Sequence, residues 1–417
     1  MLKRTLSLVL ALVLAMALVN GCFAETAKSE ITGTLVVAHE RSDLEQEIYQ
    51  LVEAFEAEYP GIDIKLEFIA DYHKAINIRF VGKEAPDCCV MGFSTIPKEY
   101  WPNYLMPLDD LNLDVQGADT YVIDGHCYGY SQSTSYNCFM YNKQLWAEAG
   151  ITEMPKTLDE LTADLQKLAE LDGVIPLTSQ YKTTWATRRW LANYAATFVP
   201  GSSFYNWAVE LDNPLDDPLM VNTVNAFRNM NKLGLLDPDL MSSDWDLQAS
   251  DFAAGLIGTY NAGTYAYATM VALGFPAEDI GFFAYPNPDG SGDTACVVTT
   301  DYAMVVNKDC AYPEAAKAWV DFYTKNYANY VGLISPMITE PCNVTGINEM
   351  LAIGCDFYTE DTITDDALAV KNLSGFDFGT YVQEYLIVED DELQSINEKY
   401  NALWNAARAE YFAGIAE

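Results

Sequence analysis

Polar side chains able to hold a small solute follow two apolar segments in the first quarter of the chain. Segments 34–38 and 88–91 are typical of buried strands, and polar residues come directly after each. Carboxylate, imidazole and hydroxyl groups can hydrogen-bond solute hydroxyls, and a guanidinium can bind a carboxylate through two bonds. Ligands of open α/β sheets bind beyond the carboxyl ends of strands. The predicted ligand residues in these two loops are His39, Glu40, Arg41, Ser94 and Thr95.

Aromatic side chains supply a second kind of binding group. Sugar rings expose apolar C–H faces that stack on flat side chains, while their hydroxyls need polar partners. The chain holds 27 Tyr and 8 Trp, most of which must serve the core or the surface. The remaining predicted ligand residues are Tyr130, Tyr136, Trp185, Trp207, Trp245, Asn261, Tyr265 and Tyr302. Core packing is the alternative role of the aromatic residues, and a helix cap or a solvated loop that of the polar ones.

Sequence motifs of catalysis and metal binding are missing. The chain contains neither HExxH nor GxSxG, and it lacks the phosphate-binding GxxxxGK[ST]. Its three histidines have no metal-ligand spacing. Residues 110–121 begin like a calcium loop, but Val115 and Tyr121 stand where that loop needs glycine and glutamate. We therefore predict a binding protein without a metal, a cofactor or catalytic residues.

Charge and cysteine content narrow the functions further. The formal net charge is −37, from 60 acidic and 23 basic residues. Such a surface repels phosphate backbones, so we predict no nucleic-acid partner. The 60 acids leave a glycoside hydrolase open as the alternative, because the fold and not the spacing places its paired carboxylates. The nine cysteines contain no CxxC pair, and we expect mostly buried free thiols.

The N-terminus has the pattern of an export signal. Lys3 and Arg4 precede an apolar run over residues 6–19, and Gly21 then precedes Cys22. This pattern predicts a lipoprotein signal peptide over residues 1–21 and a diacylglyceryl anchor on Cys22. Cleavage of an ordinary secretory signal before Glu25 is the alternative. The run is shorter than the about 20 apolar residues that a permanent membrane span needs.

Hydrophobic periodicity predicts the elements that position the candidate residues. A strand over 34–38, a helix over 44–59 and a strand over 62–68 favour a parallel sheet with a right-handed crossover. Thr157 and Glu160 have capping-box spacing before a helix that runs through Leu168. The other predicted elements are strands over 88–91 and 302–306, helices over 221–233, 313–324 and 390–417, and a turn over 285–290.

A series of short motifs occurs in the order found in one protein family. The motifs are Asp124-Gly125-His126-Cys127-Tyr128-Gly129, Tyr141-Asn142-Lys143, Gly150-Ile151, Pro155-Lys156-Thr157-Leu158-Asp159-Glu160, and the weaker Ala85-Pro86-Asp87 and Tyr312-Pro313-Glu314-Ala315-Ala316. By these motifs the chain resembles the extracellular solute-binding proteins of ABC importers, family 1, which includes the maltose- and oligosaccharide-binding proteins. Family members often have tryptophan at the position of Tyr265, so the chain departs from the pattern there.

The resemblance implies an α/β, two-lobed, periplasmic-binding-protein-like fold of type II. Each lobe is expected to hold a mixed, mainly parallel sheet flanked by helices, with the ligand in a cleft between the lobes. The implied N-terminal lobe comprises residues 30–136 and 298–338, and the C-terminal lobe residues 137–297 and 339–417. The chain would cross between the lobes near 135–138, near 295–300 and after Ser335.

The resemblance also implies a function in transport. We expect a monomer that captures a small solute, most simply a mono- or oligosaccharide, and delivers it to ABC permease subunits by closure of the cleft. It would work at the extracellular face of the cytoplasmic membrane or in the periplasm. Two other functions of the same fold stay open, namely sensing and the binding of a charged solute with Arg41, Arg188 and Arg189 as counter-charges.

Overall fold

A computed structural model describes residue 28 and residues 30–337 and 344–416. The predicted signal peptide and the predicted lipid attachment at Cys22 lie outside the described residues. Among the helices of the described part, none combines the length and the apolarity that crossing a membrane requires.

Strands and helices alternate along most of the described chain. The strands are β1 (Gly33–His39), β2 (Ile62–Phe68), β3 (Cys88–Met91), β4 (Val122–Ile123), β5 (His126–Cys127), β6 (Tyr130–Ser131), β7 (Thr134–Asn137), β8 (Phe139–Asn142), β9 (Ile175–Thr178), β10 (Ile257–Tyr260), β11 (Ile280–Phe283), β12 (Tyr285–Pro286), β13 (Thr294–Thr300), β14 (Ala303–Val306) and β15 (Asp356–Thr359). The α-helices are α1 (Glu45–Glu58), α2 (Tyr72–Gly82), α3 (Trp101–Tyr104), α4 (Lys143–Glu148), α5 (Leu158–Leu168), α6 (Thr184–Thr187), α7 (Phe204–Ala208), α8 (Pro218–Lys232), α9 (Trp245–Ala253), α10 (Ala266–Ala272), α11 (Pro313–Tyr330), α12 (Thr345–Ile353), α13 (Asp365–Ser374), α14 (Phe378–Ile387) and α15 (Leu393–Ala416).

The chain divides into two compact units. Unit 1 holds the described residues of Met1–Ser133, Thr300–Val331 and Ser335–Pro341. Unit 2 holds those of Thr134–Thr299, Gly332–Ile334 and Cys342–Glu417. Within the described residues the chain passes between the units after Ser133, Thr299, Val331 and Ile334. The lobe boundaries at 136, 298 and 338 stay a prediction.

Unit 1 is built on a five-stranded sheet in the order β2-β1-β3-β14-β6. Strand β1 pairs in parallel with β2 and β3, and α1 makes the predicted crossover between β1 and β2. The apolar residues of α1 recur at helical spacing and are buried, and the ring of Phe55 lies 5.1 Å from that of Trp319 on α11. The sheet therefore has its core on the side of these two helices.

In unit 1, the direction of each strand brings several loops to one edge of the sheet. Strand β14 runs antiparallel to β3 and β6, with Ala303 opposite Met91 and Ser131. Hence the residues just before β14 lie beside those just after β3 and β6. The polar loop after β1 ends at the same edge, because β1 and β3 are parallel.

Unit 2 contains two small sheets. One has the order β11-β8-β10-β9, in which β10 is parallel to β9 and β8 is antiparallel to both its neighbours. The other has the order β12-β13-β15, with β7 added on β13. Antiparallel strand pairs are therefore more frequent than in the mainly parallel sheets that the resemblance implies, because β8 and β14 run antiparallel to their neighbours.

Local signals account for several element boundaries. Thr157 Oγ1 accepts a hydrogen bond from Glu160 N at 3.1 Å, as its spacing predicted, and α5 ends at Leu168. The Glu160 carboxylate accepts from Lys156 N at 2.7 Å, one residue earlier than in a standard capping box. The predicted turn over 285–290 is wrong at its start, because Tyr285 and Pro286 form β12 against β13.

The cysteines of the described residues are all free thiols, as predicted. Six of these seven are buried, and Cys355 is partly exposed. Within the same residues no group of His, Cys, Asp and Glu side chains could hold a metal ion.

Candidate ligand-binding site

The polar loop after β1 begins with a histidine that is wholly buried. His39 Nδ1 accepts a hydrogen bond from Arg41 N at 3.0 Å, so the ring proton is on Nε2, which donates to the Tyr323 hydroxyl at 2.7 Å. Burial lowers the pKa of His39 from 6.5 to about 3, and the ring is therefore neutral at neutral pH. His39 was predicted to bind the ligand directly, but its burial in unit 1 leaves it a positioning role.

The His39–Tyr323 contact orients a glutamine. The Tyr323 hydroxyl donates to Gln132 Oε1 at 2.8 Å, and this bond fixes which end of the Gln132 amide is the donor. Gln132 Nε2 then donates to Asp301 Oδ2 at 3.0 Å and to Glu40 Oε1 at 3.3 Å. One amide thus holds two carboxyl groups side by side at the edge of the sheet.

The two carboxyl groups differ in their surroundings. The Glu40 side chain is 12% exposed, and burial, followed by the nearby charge of Asp301, raises its pKa from 4.5 to about 8. At neutral pH Glu40 is therefore largely protonated and can both donate and accept a hydrogen bond. Asp301 also accepts from Ser133 Oγ at 3.2 Å and from Tyr302 N at 2.8 Å. Arg41 forms a two-pronged ion pair with Asp43.

His73 joins three predicted ligand residues to each other. Its Nδ1 lies 2.8 Å from Thr95 Oγ1, its Nε2 lies 3.5 Å from Glu40 Oε2, and its ring centroid lies 4.8 Å from that of Tyr302. Burial lowers the pKa of His73, which favours the neutral ring. We call Glu40, His73, Thr95, Gln132, Asp301 and Tyr302 the polar cluster of unit 1. It offers hydrogen-bond donors and acceptors beside an aromatic ring.

Besides His39 and Arg41, two further predicted residues of unit 1 lie outside the polar cluster. Ser94 is exposed. Tyr130 is buried in the unit, where its hydroxyl donates to Leu108 O at 3.3 Å. The structure does not bring either residue to the polar cluster.

In unit 2 three of the predicted aromatic residues lie in a row. The ring centroids of Trp185 and Trp245 are 5.4 Å apart, and those of Trp245 and Tyr265 are 6.0 Å apart with the rings nearly parallel. Trp245 N donates to Thr183 Oγ1 at 3.3 Å, which ties the start of α9 to the loop of Trp185. Trp185 is 42% exposed at one end of the row. These three residues, the aromatic row, offer flat surfaces for stacking.

A buried arginine packs against Tyr265, one member of the aromatic row. The Arg189 guanidinium lies 5.3 Å from the centre of the Tyr265 ring, a cation–π contact. It donates to neutral acceptors only in the described residues, namely Asn261 O, Asn137 Oδ1 and Tyr285 OH at 3.3–3.4 Å. The Arg189 guanidinium therefore holds the Tyr265 ring in place. Because it is buried, it does not offer an exposed binding site for an anionic ligand.

Asn261 lies beside the arginine at the end of β10. Its Oδ1 accepts from the Tyr285 hydroxyl at 2.9 Å, and its Nδ2 is buried with no hydrogen-bond partner among the described residues. An orphaned buried donor calls for an explanation, and a ligand acceptor is one. Gly263, with a φ of +69°, then turns the chain towards Tyr265.

Two further aromatic residues of unit 2 were predicted to bind ligand. Tyr136 packs edge to face on Phe357 at 5.9 Å, and its carbonyl accepts from Thr264 N at 3.1 Å, next to Tyr265. Trp207 instead packs on Phe204 against the core of unit 2. The structure therefore brings Tyr136 near the aromatic row and leaves Trp207 apart from it.

Sequence reasoning missed His73, Gln132, Asp301 and Tyr323. Asp301 directly precedes Tyr302, which was a predicted ligand residue, so its position in the sequence could have identified it. Gln132, His73 and Tyr323 carry no local signal, because long-range packing brings them to the loop after β1. Arg189 was considered only as a counter-charge.

One cavity of unit 2 is separate from these residues. It has a volume of about 360 Å³ and is lined by parts of the segments 152–156, 283–284 and 350–355, and by Thr294. None of the predicted ligand residues lines it. Geometry and chemistry therefore favour the polar cluster and the aromatic row as the candidate ligand-binding surfaces.

Comparison with known families gives one match that spans most of the chain. The family described as bacterial extracellular solute-binding protein matches residues 41–329. This range includes the aromatic row and every residue of the polar cluster except Glu40.

Individual relatives match at lower coverage. The diacetylchitobiose-binding protein DasA of Streptomyces coelicolor is 25% identical over 226 residues, which are 49% of this chain and 48% of that protein. The maltotriose-binding protein of Pyrococcus abyssi is 23% identical over 206 residues, 47% of this chain and 42% of that protein. The chain thus spans about half the length of these curated relatives.

A solved structure matches along almost its whole length. BlMnBP1, a binding protein of an ABC transporter from Bifidobacterium animalis subsp. lactis, was solved with mannobiose. The match has a TM-score of 0.79 at 22% identity, and it covers 92% of this chain and 96% of that one. The fold is therefore the predicted type II periplasmic-binding-protein-like fold.

Proposed function

Because the chain belongs to the bacterial extracellular solute-binding proteins, we propose that it captures an oligosaccharide outside the cell and delivers it to an ABC permease. The observation that carries the proposal is the aromatic row of unit 2, which offers stacking faces with an exposed end at Trp185. A sugar is the common solute that needs such faces together with many hydrogen-bonding partners.

The polar cluster of unit 1 supports the same ligand class. A protonated Glu40, the Asp301 carboxylate, the His73 ring and the Thr95 hydroxyl offer donors and acceptors in a small area. Sugar hydroxyls are both donors and acceptors, so they match such a mixed set. We propose the polar cluster and the aromatic row as ligand-contact surfaces, each on its own unit.

The relatives support a saccharide over other solutes. Their names or titles record diacetylchitobiose, maltotriose and mannobiose as ligands. These sugars differ in their linkages and substituents, so the shared property is a short chain of sugar units. An oligosaccharide ligand for this chain follows from that shared property.

The cellular setting completes the proposal. Cys22 would carry a diacylglyceryl anchor that holds a monomer at the extracellular face of the cytoplasmic membrane. The permease subunits would receive the ligand there.

A second candidate is glycoside hydrolysis, because Glu40 and Asp301 are paired carboxyl groups. Retaining and inverting glycosidases use one protonated and one ionised carboxyl group, and the raised pKa of Glu40 fits the acid. The family and its relatives are binding proteins, so we place this second. Product analysis separates the two candidates.

A ligand screen tests the proposed function. The leaderless protein would be melted in the presence of chito-, malto- and manno-oligosaccharides, amino acids, short peptides and polyamines. We expect an oligosaccharide to raise the melting temperature by mass action and to be recovered unchanged. A cleaved glycan would establish the hydrolase instead, and a response confined to charged solutes would overturn the sugar assignment.

A further inference from the structure

Two thiols of unit 2 lie on one face of the sheet, near the point where β15 begins to pair with β13. The two strands are parallel, with Ala295 opposite Asp356 and Cys296 opposite Phe357. Cys355 directly precedes β15, two residues before Phe357. Side chains two residues apart in a strand face the same side, so the side chains of Cys296 and Cys355 project from the same face of the sheet.

Packing around the two thiols agrees with this register. Cys296 is wholly buried in the second core cluster of unit 2, and Cys355 packs against that cluster from its edge. Met350 on α12 connects the two, because its Sδ lies 3.8 Å from Cys296 Sγ and it lines the 360 Å³ cavity together with Cys355. Cys296 is thus wholly buried, whereas Cys355 stands at the wall of a cavity.

The strand that Cys355 precedes is exposed to solvent. All four residues of β15 are exposed, although the ring of Phe357 packs edge to face on Tyr136. Gly354, with a φ of +87°, allows the sharp change of direction between α12 and β15. A strand of this kind is expected to open easily unless a covalent link holds it.

We propose that Cys296 and Cys355 form a disulfide bond once the protein has been exported. The crosslink would fasten β15 to β13 and thereby to the core of unit 2. Outside the cell no thiol-reducing system keeps cysteines reduced, so the compartment favours the bond. This inference depends on export and not on the identity of the ligand.

The chemistry is a thiol–disulfide exchange with a low-molecular-weight disulfide as the oxidant. The Cys355 thiolate attacks one sulfur of the oxidant and releases one thiol, which gives a mixed disulfide on Cys355. Cys296 then loses its proton and attacks Cys355 Sγ, and the second thiol leaves. The two cysteines lose two protons and two electrons in total, and the oxidant is reduced to two thiols.

The order of these steps follows from the electrostatics of the pair. The interaction between the two thiols lowers the pKa of Cys355 and raises that of Cys296. Cys355 is also the more exposed of the two. It is therefore the attacking thiol, and Cys296 is the resolving one.

Peptide mapping of the exported full chain tests the inference. The protein would be alkylated under denaturing conditions without reduction, before and after incubation with oxidised glutathione. We expect one crosslinked pair of peptides, containing Cys296 and Cys355 and two hydrogens lighter than the separate peptides. Alkylation of all eight cysteines after Cys22 in both samples would overturn the inference, and so would a bond that joins either cysteine to Cys138 or Cys342.

Variants and stability measurements complete the test. Cys355→Ser should abolish the crosslink, and Cys310→Ser in unit 1 is the matched control that should keep it. The crosslink closes a loop of about 60 residues, so the oxidised wild type and the control should melt about 5 °C or more above their reduced forms, and Cys355→Ser should not respond to reductant. Oxidation should also slow hydrogen exchange in β15, and unchanged melting and exchange on oxidation would contradict the proposed role of the bond.

Discussion

At the scale of single residues, Glu40 is a carboxyl group in a largely buried environment. It shares the Gln132 amide with Asp301, and the buried His39–Tyr323 pair orients that amide. The charged form of Glu40 is disfavoured by burial and by the neighbouring carboxylate. Glu40 should therefore couple the stability of the protein to pH.

The sign of this coupling follows from the direction of the pKa shift. The folded state holds the Glu40 proton up to about pH 8, whereas the unfolded chain releases it near pH 4.5. The stability associated with protonated Glu40 is therefore fully present below pH 4.5 and is lost as the pH rises towards 8. Glu40→Gln removes the titration and keeps the shape.

Urea unfolding between pH 5 and pH 8 measures this effect. Over that range we expect the free energy of unfolding of the wild type to fall relative to Glu40→Gln by on the order of 1–4 kcal/mol. Glu99→Gln, which changes an exposed carboxylate of unit 1, should follow the wild type at every pH. Parallel curves for the wild type and Glu40→Gln would contradict the raised pKa.

The exposed tryptophan of the aromatic row gives a second prediction at this scale. Because Trp185 is 42% exposed, Trp185→Ala should change stability little, yet it removes a stacking face. We expect the dissociation constant for the oligosaccharide ligand to rise about 5- to 30-fold. Titration calorimetry checks the value, and Tyr100→Ala, which removes a 50% exposed aromatic residue of unit 1, is the control. Equal affinity of both variants would exclude Trp185 from the ligand.

Single residues were predictable from the sequence only in part. The loops after β1 and β3 were placed correctly, because strand ends are visible in the apolar pattern. The burial of His39 was not, because it depends on Tyr323, which lies 284 residues further along the chain. Tyr130 was singled out as aromatic, but its side chain is buried in unit 1, and no local pattern reports that.

At the scale of elements, periodicity predicts β1, α1, β2, β3 and α5 to within one or two residues of their observed bounds. These elements have a clear apolar face and a local stop signal such as Pro60-Gly61 or Gly92. The short strand β12 was missed because its two residues, Tyr285 and Pro286, are held only by Ala295 and Thr294 across a turn. Elements that form only by pairing with a distant segment have no such signal in their local sequence.

The N-terminal cap of α5 gives an element-scale prediction. Thr157→Ala removes the acceptor of the Glu160 N–H at the first turn of the helix. We expect a loss of about 1 kcal/mol in the free energy of unfolding, measured with urea. Thr157→Ser keeps the hydroxyl and should retain most of that stability. A Thr157→Ala variant as stable as the wild type would show that the Glu160–Lys156 contact alone is sufficient.

At the scale of the whole molecule, the fold and the family agree with what the motif order implied. The sequence could not show which sugar is bound, because the orientation of each hydroxyl is read by side chains from distant segments such as 73, 132 and 301. It also could not separate binding from hydrolysis, since the Glu40–Asp301 pair becomes visible only when the loops after β1 and β6 meet the start of β14.

The first measurement to make asks whether the protein binds an oligosaccharide without cleaving it. The leaderless protein would be titrated in a calorimeter with an oligosaccharide from the screen, and the recovered sugar would then be analysed by chromatography. We expect one oligosaccharide to bind per chain, with the sugar recovered intact after prolonged incubation. Heat without saturation at that stoichiometry, or recovery of shortened sugars, would contradict it.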